Sequence, residues 1–156
     1  MTKLEAGVKA PDFELPDGEG RIWKLSELRG KKVILYFYPA DDTPGCTVEA
    51  CDFRDSHTDL EAAGFVVLGV SPQGENSHRS FSEKYSLNFP LLIDADLEVA
   101  GAYETARGDG IFKGIPLSVK RATFVIDEEG TLVQALYGVK ARGHVDQLKE
   151  SLGVDA

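Results

Sequence analysis

The longest unbroken apolar run in the chain is VILYFY at residues 33–38. A run of that length, without the alternation of a half-exposed strand, predicts a central strand covered on both faces. FVVLGV at 65–70 predicts a second buried strand, and LLI at 91–93 a short third. Residues 44–63 predict a helix. Thr43 is its N-cap, Pro44 takes the first position, where a missing N–H costs nothing, and Gly64 closes it. Further helices are predicted at about 76–85 and 97–103, with an amphipathic one at about 143–152. FELPDGEGRIWKL, residues 13–25, alternates around a Pro-Asp-Gly-Glu-Gly turn and predicts an N-terminal β-hairpin, with Trp23 as a packing residue. ATFVID and TLVQALYG flank a turn at 127–130 and predict a second hairpin. Residues 104–120 show no clean periodicity and read as a long loop, a length that often carries function. The glycines in that loop follow no strand and precede no Gly-Lys-Ser/Thr, so they do not predict a phosphate site. Strands alternating with helices, then a hairpin and a helix, predict an α/β fold: one domain, residues 1–156, with a central mixed sheet flanked by helices on both faces.

Composition narrows the chemistry. At 156 residues, 42% hydrophobic and 28% charged, the chain can bury a core without staples. Its formal charge of −9, uninterrupted by basic clusters, argues against nucleic acid or an anionic membrane as a partner. The first residues lack the apolar segment of a signal peptide, and no apolar run approaches about 18 residues, so the expected location is the cytoplasm. In a reducing compartment a lone pair of cysteines, here Cys46 and Cys51, is more often catalytic, redox-sensing or metal-binding than structural.

Cys46 falls at the third position of the predicted helix, where a capping box would place Glu or Gln. Free backbone N–H groups and the positive end of the helix dipole favour an anion there, hence thiolate over thiol. The benefit has a ceiling. An ordinary cysteine is roughly 3% ionised at pH 7, so complete ionisation raises reactive thiolate by about 30-fold at most. A fast reaction also needs donors that hold the attacked molecule and stabilise its leaving group. Cys46 also follows the carboxyl end of a central strand, where reactive groups of such sheets gather.

Plainer readings stand beside these. Cys46 could be a small buried hydrophobe, Cys51 a half-exposed helical residue, and Arg121 an ordinary charge at a strand start. Glu49, one turn beyond Cys46, either tunes the site or is a solvated helix charge. His57, His78 and His144 are scattered and read as surface residues, and Tyr38 as core. Cys46, Cys51 and His57 lack zinc spacing and supply only three ligands.

From APDFELPD through GCTVEACDF and RATFVID to the last helix, the chain resembles the peroxiredoxins of the bacterioferritin comigratory protein, or Q, type. Pro39, Thr43 and Cys46 match that family's Pro-x-x-x-Thr/Ser-x-x-Cys, Arg121 stands at its catalytic arginine, and Cys51 at the helix-borne resolving cysteine of many members. Residues 107–118 match it least. The resemblance implies a thioredoxin-like fold, a monomer, and reduction of hydrogen peroxide and organic hydroperoxides with no metal, haem or flavin cofactor. It also implies attack by Cys46, an intramolecular disulfide with Cys51, and re-reduction by thioredoxin or a similar dithiol. Arg121 and Thr43 would orient the peroxide, and Pro39 would shape and shield the loop. Two rival functions fit the same pair of cysteines. A thiol-disulfide oxidoreductase would turn over insulin disulfides without peroxide, but its usual Cys-x-x-Cys is absent. A peroxide sensor would not turn over peroxide repeatedly with excess thioredoxin.

Overall fold

A computed structural model describes residues 3–106, 111–112, 115–116 and 119–154. An antiparallel ribbon pairs β1 (Glu14–Pro16) with β2 (Ile22–Lys24), the hairpin expected from the alternation around Pro16–Gly20. A 3-10 turn, Leu25–Leu28, leads into β3 (Lys32–Phe37), α1 (Pro44–Ala62), β4 (Phe65–Ser71) and α2 (Glu75–Lys84). Then follow β5 (Leu91–Ile93), α3 (Glu98–Ala102), β6 (Ile111–Phe112) and β7 (Ile115–Pro116). The hairpin of β8 (Ala122–Ile126) with β9 (Leu132–Tyr137) and the helix α4 (His144–Leu152) complete the order.

The main sheet runs β5-β4-β3-β8-β9, parallel through β5, β4 and β3 and antiparallel through β8 and β9. It is therefore mixed, with β3 at its centre. The unbroken apolar run of β3 is explained by its two faces, since successive side chains of a strand point to opposite sides. Val33, Leu35 and Phe37 pack with Leu68, Leu92, Phe124 and the α3 residues Val99 and Ala100. Ile34, Tyr36 and Tyr38 pack on the other face with Cys46, Ala50 and Phe53 of α1, Phe81 of α2, and Val145 and Leu148 of α4. Each fully buried large side chain in these two layers contributes about 1.5–3 kcal/mol. Gly69 makes room in this second layer: a Cβ there would lie 3.1 Å from the Tyr36 ring, which stacks on Phe53 at 4.6 Å between centroids.

Gly64 follows α1 at φ +91°, the left-handed residue that ends a helix as its position predicted. The span 104–120 departs from the expected loop. β6 and β7 pair antiparallel, and Ala106 bridges Val119. Pairings of two residues are too short to leave a period. Residues 107–110, 113–114 and 117–118 of that span lie outside the described residues. Among the described residues no helix is long and apolar enough to cross a membrane.

Candidate active site

β3 ends at Phe37, the chain turns through residues 38–43, and α1 begins at Pro44. Thr43 has the extended backbone of an N-cap, and its carbonyl accepts the Thr47 N–H at 2.8 Å. Its hydroxyl does not cap the helix. It donates to the Ala40 carbonyl at 3.0 Å, which leaves the oxygen as an acceptor. Pro39 is half-buried at the start of this turn.

Cys46 lies in the first turn of α1 and is only 1% exposed, packed in the layer that holds Tyr36 and Phe53. The reading of a buried hydrophobe thus describes its surroundings, yet its sulfur is polar in use. Arg121 Nη2 donates to Cys46 Sγ at 3.4 Å, and Nη1 donates to Glu49 Oε1 at 2.7 Å. Sheet register explains how a residue 75 positions away arrives here. Ala122 pairs with Phe37, so Arg121 enters β8 beside the carboxyl end of β3. Gly45 lets the guanidinium lie close: a Cβ at that position would be 3.0 Å from Arg121 Nη2 and 3.7 Å from the Ala141 methyl.

Glu49 is fully buried, so it is not a solvated helix charge. Desolvation pushes its carboxyl up to about 7, opposed by the charge and hydrogen bond of Arg121. Its second oxygen, Oε2, and the Tyr36 hydroxyl are buried without a protein partner among the described residues. Cys51 is half-buried on the same helix. Burial pushes its thiol up, opposed by the nearby Arg54 charge. Both cysteines are free thiols. Because α1 is continuous through both, they are separated by about 7.5 Å along the axis and point about 140° apart. A disulfide needs Cα atoms within about 7 Å, so their bridging requires this helix to open.

The histidines correct the expectation of three surface residues. His57 is half-buried, but His78 and His144 are 1% and 5% exposed. His144 Nε2 lies 2.8 Å from Thr123 Oγ1, and its ring meets Phe53 edge-on at 6.4 Å. His78 bonds Asp41 and the Leu92 carbonyl. Partners this far apart in sequence leave no local signal. Tyr38 is core as expected, its hydroxyl donating to Asp41 at 2.6 Å.

Two of these buried groups make stability depend on pH in opposite directions. Glu49, raised from 4.5 to about 7, keeps a proton that the unfolded chain has lost, so its contribution is full below pH 4.5 and disappears as pH rises through 7. His144, lowered from 6.5 to about 4 by burial and the Arg121 charge, refuses a proton the unfolded chain takes. Its contribution is full above pH 6.5 and disappears as pH falls through 4. Each shift corresponds to about 3 kcal/mol. In urea denaturation across this range, Glu49→Gln should gain stability relative to wild type as pH rises, and His144→Asn should lose it. Parallel pH profiles for the three proteins would refute the assignment.

The AhpC/TSA family profile matches residues 6–135. The peroxiredoxin Bcp of Bacillus subtilis is 43% identical over 149 residues, 96% of this chain and 95% of its own. Among solved structures, peroxidoxin BcpB of Mycobacterium tuberculosis superposes with a TM-score of 0.87 at 35% identity, covering 96% of this chain and 97% of that one. The bacterioferritin comigratory protein of Xanthomonas campestris, described for its alkyl peroxide reduction activity, gives 0.86 at 33%, covering 96% and 98%.

Proposed function

The chain belongs to the AhpC/TSA family as a peroxiredoxin of the Bcp or Q type, and from that premise we propose that it reduces hydrogen peroxide and organic hydroperoxides at Cys46, with Cys51 as the resolving thiol and thioredoxin or a similar dithiol as reductant. Family membership makes it a thiol-dependent peroxidase with a thioredoxin-like fold. The observation that carries the finer reading is the arginine fork, one arm on the Cys46 sulfur and the other on buried Glu49.

Cys46 thiolate attacks the terminal peroxide oxygen, forming an S–O bond as the O–O bond breaks. The departing oxygen takes the electron pair and a proton and leaves as water or an alcohol, while the sulfur becomes sulfenic acid. Arg121 is fixed in position before the peroxide arrives, because Glu49 occupies its other arm. Donors aimed in advance at developing charge are typically worth a factor of about 10²–10³ in rate. Thr43, its hydrogen already given to Ala40, offers an oxygen to accept from the peroxide O–H. Pro39, at the turn's start, shapes this loop. Cys51 then displaces hydroxide from the sulfenic sulfur, which leaves as water, and an incoming dithiol restores both thiols with two electrons. The alkyl peroxide activity named for the X. campestris relative supports the inclusion of organic hydroperoxides.

The test is stopped-flow oxidation with thioredoxin present. Wild type should turn over repeatedly, whereas Cys51→Ser should consume about one equivalent of peroxide and halt at sulfenic acid. Oxidation of the wild type should strip hydrogen-exchange protection from residues 47–50. Repeated turnover by Cys51→Ser at the wild-type rate would remove Cys51 from the cycle.

A further inference from the structure

The turn that delivers Cys46 to its arginine is held from outside α1. Asp41, in that turn, has a side chain only 2% exposed, and its carboxylate is fully engaged. Tyr38 donates to Oδ1 at 2.6 Å, and Ser77 Oγ donates to Oδ2 at 2.7 Å. His78 Nδ1 lies 2.7 Å from the same Oδ2, and Nε2 lies 2.8 Å from the Leu92 carbonyl. Both ring nitrogens of His78 are thus engaged, one on the turn and one on the backbone of β5. The turn is thereby tied through α2 to β5. The next residue, Asp42, takes φ +57°, an uncommon conformation for a residue with a side chain. Lys84 and Tyr85 each hold it at 2.8 Å, again from the α2 end of the fold.

Burial of such a network is a poor route to stability, because desolvation offsets most of the attraction. In some proteins buried polar groups of this kind select one conformation over another instead. Here there are two conformations to select between. The reaction with peroxide needs Cys46 beside Arg121, whereas the disulfide needs α1 opened so that Cys46 can reach Cys51. We propose that Asp41, with Ser77 and His78, is a latch that positions the peroxide-reactive loop and sets how the sulfenic acid is partitioned between two fates. Either Cys51 condenses with it, releasing water, or a second peroxide oxidises it. In the latter case the peroxide O–O bond breaks, one oxygen is transferred, water or alcohol leaves, and sulfur loses two electrons to become sulfinic acid. A closed latch delays the first fate and exposes the enzyme to the second. Asp41, Ser77 and His78 are positioning residues, since they act through the loop.

This inference rests on the Cys46–Cys51 cycle proposed above, and the experiment separates the two. Wild type, Asp41→Asn and Ser77→Ala are exposed to a series of hydrogen peroxide concentrations with thioredoxin turnover. The fraction of sulfinic Cys46 is read by mass spectrometry, and the sulfenic and disulfide phases by stopped flow. Asp41→Asn should raise the peroxide concentration for half-inactivation about tenfold, the scale of one lost charge-assisted hydrogen bond, while slowing the sulfenic phase. Ser77→Ala removes one donor without burying a new charge, and should shift the same midpoint about threefold, so the outcome survives a folding failure of Asp41→Asn. An unchanged midpoint in folded Ser77→Ala, with the wild-type disulfide forming normally, overturns the latch alone. Failure of wild type to form the disulfide overturns both.

Discussion

Cys46→Ser should lose peroxide consumption by about a thousandfold or more, the scale seen when a catalytic nucleophile is removed. A serine hydroxyl is not ionised near neutral pH, and Arg121, the side chain bonded to this position, is a cation without an acceptor site that could take its proton. The substitution nearly conserves volume, so the packing of Tyr36 and Phe53 should persist and circular dichroism should match wild type. Robust peroxide consumption by this variant, followed by direct loss of peroxide absorbance or an electrode, would end the Cys46 mechanism.

Arg121→Met is expected to lower kcat/KM by about 10²–10³-fold, the loss typical of one preorganised donor. It should also destabilise the fold, because Glu49 loses the charge that opposes its desolvation. Breaking a buried pair from one side costs about 3–5 kcal/mol when the remaining partner stays ionised. Glu49 has an alternative. Without Arg121 its carboxyl rises beyond its present value near 7 and takes a proton, so the destabilisation should shrink as pH falls. Adding Glu49→Gln to Arg121→Met should therefore recover much of the stability and none of the rate. That separation, measured by urea denaturation and steady-state kinetics on the single and double variants, distinguishes a catalytic arginine from a structural one. Arg121→Met within threefold of wild type in kcat/KM would rule out the proposed role.

Most of the framework was legible because it rests on local pattern. The apolar run ending at Tyr38 implied burial on both faces, and the two sheet layers account for it residue by residue. Thr43, Pro44 and Gly64 marked the limits of α1 through backbone requirements that depend on few neighbours. What remained hidden was polar and long-range. Glu49 could not be told from a solvated charge because its partner Arg121 lies 72 residues away. His78 and His144 looked like surface residues for the same reason, since Asp41, Leu92 and Thr123 reach them only through the sheet and α2. Thr43 showed a subtler miss. Its backbone caps the helix as expected, but its hydroxyl serves Ala40, a choice set by the geometry of the turn.

Gly45 has a bearing on how this protein can be altered. A single added carbon would press against a guanidinium already committed to two partners, so the arginine would have to retreat by a few tenths of an ångström or surrender one of them. The tolerance of the constellation is thus fixed by its smallest member, which does no chemistry. Redesign of this site for other peroxides would have to leave position 45 without a side chain.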